Sequence, residues 1–293
     1  MSTPTFPPRV AALHDLSCFG RCALTVIMPT LSVMGYQVVP IPTALLSTHT
    51  GGFTDLHFRD LTADMEQIAH HFSRLGTTFR SIYTGFLGSA EQIETVSRFI
   101  DCFGSVTDGE GRFPLILIDP VMGDDGVLYS TYTPELVRGI RKLSRRAHLL
   151  TPNLTEACLL TDRPYRDTAT LSPDEALAYA EELSEALTSV TDGRIVITGI
   201  SLSDGTLANL GRDVDGSRFC IRRPHEAHSY PGTGDLFSSV LLGALLRGES
   251  FYGACTKAAE FTSDVIHASI PIPTPAREGV ALEPLLGKLL PQT

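Results

Sequence analysis

The chain has 293 residues, of which 43% are hydrophobic, and its mean hydropathy is +0.09. This length and composition allow a large buried core, arranged either as one α/β domain or as two smaller ones. Acidic residues outnumber basic residues by 33 to 23, which gives a formal net charge of -10. A surface that binds nucleic acid or anionic lipid needs a basic excess, so this charge argues against both kinds of partner.

The apolar runs and the cysteines favour a cytoplasmic protein. The longest apolar run, around 240–246, is too short to cross a bilayer, and the first ten residues lack the apolar stretch of a signal peptide. The six cysteines form no CxxC pair, so we expect reduced thiols. Cys18 and Cys22 have a spacing that would suit two metal ligands. Without a second pair, however, packing at the start of a helix is the favoured interpretation.

Short apolar runs alternate with longer segments of helical periodicity along most of the chain. The predicted strands cover 9–15, 36–47, 80–86, 113–120, 148–153 and 193–199. The predicted helices between them cover 20–35, 64–76, 90–104, 133–143, 154–160 and 174–187. Such alternation predicts an open sheet of parallel strands with helices on both faces.

The carboxyl-terminal part departs from this alternation. Two short runs within 206–223 flank Asp215 and Gly216, a hairpin signal that predicts antiparallel strands at one edge of the sheet. Helical patterns over 236–246 and 252–267 follow. We find no internal repeat or linker. The prediction is therefore a single α/β domain over residues 1–293, with an open, mostly parallel sheet.

Polar residues and glycines follow almost every predicted strand. Ligands bind at the carboxyl ends of strands in open parallel sheets, so these positions are the candidates for a site. They are His14, Asp15, Ser17, 47–52, Gly85, Phe86, Asp119, Gly123, Asp124, Thr151, Asn153, Glu156, Thr198 and Gly199. Turn residues are common at strand ends whatever the function, but this concentration of carboxylates at one edge indicates a ligand site.

The stretch SYPGTGDLFSSV, residues 229–240, suggests what the ligand is. If a helix begins at Leu236, the amides of 232–235 lie unpaired at its positive end, where a phosphate can bind. Asp235 stands beside that anion. It is suited to take a proton from an alcohol that attacks a phosphoryl group. The alternative is an ordinary helix cap, since Gly and Asp are frequent at such positions.

Five motifs together resemble the ribokinase superfamily, and within it the branch of the pyridoxal kinases. No Walker A sequence and no GxGxxG occurs, so the two commonest nucleotide-binding loops are absent. The motifs are STHTGG at 47–52, GFLGSAEQI at 85–93, DPVMGD at 119–124, TPNLTEA at 151–157 and GTGD at 232–235. The resemblance runs from about residue 9 to 269. It implies a kinase of one α/β domain that forms a homodimer.

The resemblance also implies roles for the residues of these motifs. Gly232, Thr233 and Gly234 would form an anion hole, with Asp235 as the catalytic base. ATP and Mg²⁺ are the implied cofactors, and a monovalent cation is left open. The implied ATP-binding residues are Asp119, Asp124, Asn153, Glu156 and Thr198. Of these, Asp119, Asp124 and Glu156 are the candidate metal ligands, directly or through water, because Mg²⁺ prefers oxygen ligands and keeps several waters.

A lid is implied over 123–131. It would carry Tyr129 across the site and exclude water, which prevents hydrolysis of ATP.

On the substrate side, the resemblance points to Thr43, His49 and Phe86 around a pyridine-type ring. Phe86 stands where relatives often have tyrosine, so ring packing would persist without a hydroxyl contact. Asp15 stands where many pyridoxal kinases have a substrate-facing serine. We consider two interpretations of Asp15. It accepts a hydrogen bond from the pyridinium N–H or the amine of pyridoxamine, or it caps the start of the following helix.

The sequence thus predicts an ATP-dependent kinase that phosphorylates the primary hydroxymethyl group of a vitamin B6 vitamer, namely pyridoxamine, pyridoxal or pyridoxine. A hydroxymethylpyrimidine kinase of the same fold is the nearest alternative, because its substrate is a ring of similar size with the same kind of alcohol. A non-catalytic carrier or sensor of pyridoxal phosphate would keep the pocket but would not need Asp235. The order of preference among the vitamers stays open.

Overall fold

A computed structural model describes residues 7–226 and 229–291. The prediction that no signal peptide is present rests on the first ten residues. Of these, residues 1–6 lie outside the described ranges. In chain order the elements are β1 (Arg9–Phe19), α1 (Leu24–Val33), β2 (Gln37–Thr48), β3 (Phe58–Asp60), α2 (Thr62–Arg74), β4 (Ser81–Thr84), α3 (Ala90–Phe103), β5 (Leu115–Ile118), β6 (Gly123–Asp124), β7 (Val127–Leu128), α4 (Pro134–Ser144), β8 (Leu149–Leu150), α5 (Leu154–Thr161), α6 (Pro173–Leu187), β9 (Arg194–Ser201), β10 (Thr206–Arg212), β11 (Arg218–Pro224), α7 (Thr233–Leu246) and α8 (Phe251–Ser269).

The main sheet has nine strands in the order β11-β10-β9-β8-β5-β4-β1-β2-β3. From β9 to β2, neighbouring strands pair in parallel. Strands β10 and β11 extend one edge as an antiparallel hairpin. The predicted fold class is therefore confirmed. Strand β3, which has no clear signal in the sequence, pairs antiparallel with β2 at the opposite edge.

Helices cover both faces of this sheet, and β1 shows how two separate cores arise. Ala11 and Leu13 are buried under the face covered by α2 to α6, whereas Val10 and Ala12 are buried under α1, α7 and α8. Successive side chains of a strand point to opposite faces, so a strand buried on both sides must be apolar throughout. This explains why the central strands appear in the sequence as continuous apolar runs.

The first strand extends further than the apolar run predicts. We predicted a strand over 9–15, but pairing of β1 with β2 continues to Phe19, and a register shift leaves Asp15 out of the ladder as a bulge. The following helix begins at Leu24 and has no side-chain cap. Asp15 therefore lies within a strand and does not cap α1, so that interpretation of Asp15 is wrong. Among the described helices, none is both long and apolar enough to cross a bilayer.

Candidate active site

The carboxyl ends of the parallel strands open into a cavity of about 640 Å³. Of the residues to which the resemblance assigns a role, all except Thr43 line this cavity: Asp15, His49, Phe86, Asp119, Asp124, Tyr129, Asn153, Glu156, Thr198 and 232–235. These residues come from segments far apart in the chain. The parallel topology brings them together, because it places the carboxyl ends of neighbouring strands at one edge.

The glycine turn at 232–234 begins α7 without any side-chain cap. Gly232 has φ 81°, a left-handed conformation, and a Cβ at this position would collide with the carbonyl oxygen of Arg21. The first hydrogen bond of the helix runs from the Leu236 N–H to the Gly232 carbonyl at 3.0 Å, so the amides of 233–235 have no acceptor within the helix. A Cβ on Gly234 would meet no atom within 4 Å. The turn therefore presents bare amides to open space, as an anion site requires.

Asp235 lies in the first turn of α7 and faces the start of α1. Its Oδ2 accepts the Ala23 N–H at 2.8 Å and lies 3.7 Å from the Cys22 thiol, while its Oδ1 lies 4.0 Å from His14 Nδ1. Burial raises the pKa of Asp235 to about 7. Burial also lowers the pKa of His14 to about 3, so the imidazole is neutral and does not form an ion pair. Asp235 can therefore exchange a proton near neutral pH.

Asp119 follows β5, and among the carboxylates that line the cavity it receives the fewest hydrogen bonds from the protein. Its side chain is buried, and within the described part of the chain no group donates a hydrogen bond to it. Burial, and then the charge of Asp235, raise the pKa of Asp119 well above its usual range. A buried carboxylate without donors is expensive to ionise, and a bound cation would remove that cost.

Asn153 and Glu156 are engaged with each other at the start of α5. Asn153 Oδ1 accepts the Glu156 N–H at 2.9 Å, and Glu156 Oε2 accepts the Asn153 N–H at 2.8 Å, which completes a capping box. Glu156 Oε1 accepts the Met122 N–H at 3.2 Å, and Asn153 Nδ2 donates to the Gly123 carbonyl at 2.8 Å. Both side chains thus hold the backbone around the cavity, and a ligand can reach only their remaining lone pairs.

The predicted lid is a small hairpin of β6 and β7, which carries Asp124 and leads into Tyr129. It is held from outside the cavity, because the Gly126 N–H donates to Thr155 Oγ1 at 2.8 Å and the Tyr165 ring packs directly on Gly126. Burial and the charge of Asp125 raise the pKa of Asp124. The hairpin therefore places one more carboxylate at the rim of the cavity.

The carboxylates do not form a complete protein-only metal centre. Within residues 7–226 and 229–291, no three His, Cys, Asp or Glu side chains are grouped so that they could hold a metal ion. The oxygen donors of Asp119 and Asp124 nevertheless suit Mg²⁺, which keeps waters and usually takes only one or two carboxylates besides phosphate oxygens. Cys18 is exposed, whereas the Cys22 thiol contacts Asp235 just before the start of α1.

Thr198 lies inside β9 and not after its end, as the sequence pattern suggested. Its N–H donates to the Pro152 carbonyl at 2.9 Å, and Gly199 beside it has φ 69° and donates to Asn209 Oδ1 at 3.3 Å. The strand is irregular here, since its pairing with β10 shifts register opposite these residues. This irregularity turns Thr198 toward the cavity although the strand continues.

The substrate side differs from expectation at Thr43. Thr43 is fully buried, and its hydroxyl donates to the Phe86 carbonyl at 3.2 Å, so it supports the cavity wall from behind. Phe86 itself lines the cavity and packs edge-on against Tyr132 with ring centroids 6.1 Å apart. Asp15 lines the cavity as well, and its Oδ2 accepts the Ser17 hydroxyl at 2.8 Å. Burial raises the pKa of Asp15.

His49 lines the cavity, but backbone groups occupy both of its ring nitrogens. Nδ1 accepts the Gly51 N–H at 3.1 Å, so the proton is on Nε2, which donates to the Arg277 carbonyl at 2.6 Å. Several cavity residues had no predicted role, among them Cys22 and Arg277. Cys22 lies soon after the end of β1, so a search of the residues that follow each strand could have found it. Arg277 has no comparable signal, because it follows a proline-rich turn far from every motif.

A second cleft of about 180 Å³ adjoins the first on the far side of the glycine turn. Thr198, Thr233 and Gly234 line both cavities. The walls of the second cleft include the apolar side chains of Phe237 and Ile266. An apolar cleft that joins an anion site at the glycine turn has the form expected for a nucleotide pocket.

Comparison with known proteins agrees with this geometry. The family model described as phosphomethylpyrimidine kinase matches residues 12–277. A pyridoxine/pyridoxal/pyridoxamine kinase from Bordetella avium is 30% identical over 265 residues, which cover 86% of this chain and 82% of that protein. A crystal structure from Bacteroides thetaiotaomicron, described as a phosphomethylpyrimidine kinase in a form with pyridoxal, is 38% identical, with a TM-score of 0.84 and coverage of 96% of this chain and 95% of its own.

The crystal structure of pyridoxal kinase from Lactobacillus plantarum is 28% identical, with a TM-score of 0.84 and coverage of 96% of both chains. The family model covers far more than half of the chain. The chain therefore belongs to the phosphomethylpyrimidine kinase family, and its predicted resemblance to the pyridoxal kinase branch of the ribokinase superfamily is confirmed.

Proposed function

We propose that this protein transfers the terminal phosphoryl group of ATP to the primary hydroxymethyl group of a vitamin B6 vitamer. The observation that carries the proposal is the position of Asp235, whose pKa is about 7, directly beside the uncapped amides of α7. A general base with a pKa near the working pH lies next to an anion site, which is the arrangement phosphoryl transfer to an alcohol requires.

In the proposed step, Asp235 accepts the proton of the hydroxymethyl group as its oxygen attacks the γ-phosphorus. The new P–O bond forms as the bond to the β,γ-bridging oxygen breaks, and ADP leaves. The amides of Thr233, Gly234 and Asp235 donate to the oxygens of the transferring group. These amides are already oriented by the helix, so they need no reorganisation during the reaction. A carrier of pyridoxal phosphate would have no use for the Asp235 carboxylate.

Other residues bind and orient the two substrates. The nucleoside would occupy the cleft beside Phe237 and Ile266, with its phosphates crossing the glycine turn past Thr198. Asp119 and Asp124, with Glu156 behind them, would hold Mg²⁺ directly or through water. When bound, Mg²⁺ supplies positive charge that offsets the phosphate charge. The lid residue Tyr129 would exclude water from the cavity, and a monovalent cation is a further candidate ligand.

On the acceptor side, Phe86 would pack against the ring, and Asp15 would accept a hydrogen bond from the pyridinium N–H or from the amine of pyridoxamine. Thr43 and His49 support the cavity wall and the backbone, so we assign them positioning roles. A relative from Bordetella avium is named a kinase of all three vitamers, and a structure of 38% identity comes from a form with pyridoxal. Both support the vitamers as acceptors.

Hydroxymethylpyrimidine is the second candidate acceptor, favoured by the name of the matching family. The test is a product panel with purified protein, Mg-ATP and each of pyridoxal, pyridoxine, pyridoxamine and hydroxymethylpyrimidine, with products identified by mass spectrometry. We expect a 5′-phosphate from at least one vitamer at a higher kcat/KM than from the pyrimidine. The reverse order would assign the pyrimidine, and binding without any product would assign a carrier.

The same proposal includes a single domain over the whole chain, a homodimer and a cytoplasmic location. Light scattering after size exclusion tests the dimer, which predicts twice the 31.7 kDa mass of one chain.

A further inference from the structure

Arg277 is the one arginine or lysine among the described residues that line the main cavity. Five carboxylates line the same cavity: Asp15, Asp119, Asp124, Glu156 and Asp235. Arg277 is exposed, and its side chain forms no ion pair with any described carboxylate. An unpaired guanidinium at the wall of an acidic cavity is available to an anionic group of a ligand.

The position of Arg277 is held by contacts that leave its N–H groups free. Its backbone carbonyl accepts the His49 Nε2–H at 2.6 Å, and its guanidinium carbon lies 5.0 Å from the centroid of the Phe53 ring. Residue 52 lies beside the Arg277 side chain, since a Cβ placed on Gly52 would lie 3.4 Å from Arg277 Cβ, at the edge of ordinary van der Waals contact. Stacking on an aromatic face orients a guanidinium without using its hydrogen-bond donors.

The segment that carries Arg277 is tied to the start of α1. The Arg21 N–H donates to the Glu278 carbonyl at 2.9 Å, and a Cβ on Gly279 would collide with the Arg21 backbone. Since residues 20–21 also precede Cys22 and Ala23, which contact Asp235, this junction links the position of Arg277 to the catalytic end. The backbone that carries Arg277 is therefore held close to that of Arg21 by contacts that do not involve the hairpin of β6 and β7.

The arrangement of charges matches the chemistry of one acceptor class. Asp235, Asp15, His49 and Arg277 all line the main cavity, and His49 holds the Arg277 carbonyl at 2.6 Å, so the same cavity offers acids to a ring nitrogen and a hydroxyl group and a cation to a ring oxyanion. A 3-hydroxypyridine ring carries its nitrogen, its ionisable oxygen and its reactive hydroxymethyl group at three alternating ring positions, so these three groups point in three directions. A pyrimidine acceptor has no corresponding oxyanion.

We propose that Arg277 binds the ionised 3-oxygen of the acceptor ring and thereby selects 3-hydroxypyridines over pyrimidines. This inference rests on the proposed function, because it names the group by which that same site recognises its acceptor. His49 is then a positioning residue that acts through the backbone of Arg277. The arrangement explains why both nitrogens of His49 are engaged with the protein and not directed to a ligand.

The test compares pyridoxine with 3-O-methylpyridoxine, in which the 3-oxygen cannot ionise, in wild type, Arg277→Gln, Arg277→Lys and the control Arg21→Gln. The Arg21 side chain pairs with exposed Glu283 and does not line the cavity, so the control removes the same charge nearby. Arg277→Gln removes a charge-assisted hydrogen bond, so we expect it to raise the KM for pyridoxine about 10- to 100-fold. The KM for ATP should stay within about twofold of the wild-type value. Arg277→Lys should recover part of the loss.

In wild type, the KM for 3-O-methylpyridoxine should exceed that for pyridoxine by a similar factor. In Arg277→Gln, the KM for 3-O-methylpyridoxine should equal the wild-type value for that compound. His49→Gln should raise the KM for pyridoxine more than that for the 3-O-methyl compound, which a general loss of stability would not do. If Arg277→Gln raised only the KM for ATP, Arg277 would contact the nucleotide. If the effects of Arg277→Gln and of 3-O-methylation on KM multiplied, Arg277 would not contact the 3-oxygen. Either result overturns the inference and leaves the proposed function intact.

Direct titration of the three vitamers separates the two proposals. If wild type binds a vitamer but forms a 5′-phosphate from none of the three, the proposed function is wrong, and the ratios of the dissociation constants for pyridoxine and its 3-O-methyl derivative still decide the role of Arg277. If wild type binds none of the three vitamers, both proposals are wrong.

Discussion

Helices α5 and α7 both begin at the cavity, but their first turns satisfy the backbone in opposite ways. In α5, the side chains of Asn153 and Glu156 accept each other's backbone N–H groups, and the helix caps itself. In α7, Gly232 has no side chain to offer, and the Asp235 carboxylate turns away to accept the Ala23 N–H. Both helix ends carry the same partial positive charge. Only the end of α7 leaves its amides available to a ligand.

The difference teaches that a helix N-terminus at an active site becomes an anion site only when the local side chains leave it open. Glu156 is buried and the Asp235 side chain is 13% exposed, and burial raises the pKa of both acids. Two backbone N–H groups stabilise the ionised form of Glu156, whereas Asp235 receives one, together with a weak thiol contact. We therefore assign a structural task to the α5 end and the proton transfer to the α7 end.

The strongest test of this comparison is Asp235→Asn. Asn keeps an acceptor for the Ala23 N–H but cannot take up a proton, so kcat should fall by about 10²- to 10⁴-fold while the substrates still bind. In wild type, kcat/KM should rise about tenfold per pH unit up to about pH 7 and then level off, because the base must be ionised. Steady-state kinetics from pH 5.5 to 9 check both points. A mutant with wild-type turnover would remove Asp235 from the reaction.

The same substitution should stabilise the fold at alkaline pH. The pKa of Asp235 is about 7 in the folded state against 3.8 for an unperturbed group, so the folded protein binds this proton more tightly than the unfolded chain. Wild type therefore loses stability as the pH rises from about 4 to about 7. Asn carries no charge, so Asp235→Asn should gain about 1–4 kcal/mol over wild type at pH 8 and little at pH 4. Urea unfolding at the two pH values measures the gain, and an equal difference at both would contradict the raised pKa.

Gly234→Ala tests whether the open end of α7 is needed for ATP binding and not for the stability of the fold. A Cβ at Gly234 meets no protein atom within 4 Å, and Gly234 lines the cavity at the turn to which we assign the phosphate. We expect an unchanged thermal midpoint and a loss in kcat/KM for ATP of about 10- to 100-fold, because the added methyl group keeps the phosphate from the amides. Gly287→Ala is the matched control, since Gly287 also has open space at its Cβ position but lies outside the cavity. Equal activity in the two variants would show that the anion does not bind at this turn.

The smallest effect is expected at the self-capped end. Asn153→Ala removes the cap of α5 and should destabilise the protein by about 1 kcal/mol. Ser172→Ala removes the equivalent cap of the exposed capping box of α6 and is the control for that cost. Comparable stability losses with a similar KM for ATP would support the structural role. A much larger rise in the KM for ATP in Asn153→Ala would mean that Asn153 contacts the nucleotide.

Most of the fold could be predicted because its signals are local. The period of the apolar residues and the lengths of the runs indicated the alternating elements, and Asp215-Gly216 indicated the edge hairpin. Strand β3 is three residues long with exposed side chains, so it has no apolar pattern to detect. Asp15 looked like the end of a strand because the polar residues His14 and Asp15 interrupt the apolar run, whereas pairing with β2 continues beyond them.

By itself, the sequence determined the order of the elements, the edge of the sheet where polar groups collect and the glycine turn before Asp235, because periodicity and glycine content depend on neighbouring residues. Only the tertiary structure decided which of those groups are free to react. The contact of Asp235 with Ala23 spans 212 residues, and that of His49 with Arg277 spans 228. Hydrogen bonds between such distant segments exist only after the chain has packed. They decide that His49 Nε2 serves the backbone of Arg277 and that Asp235 and Arg277 come to line one cavity.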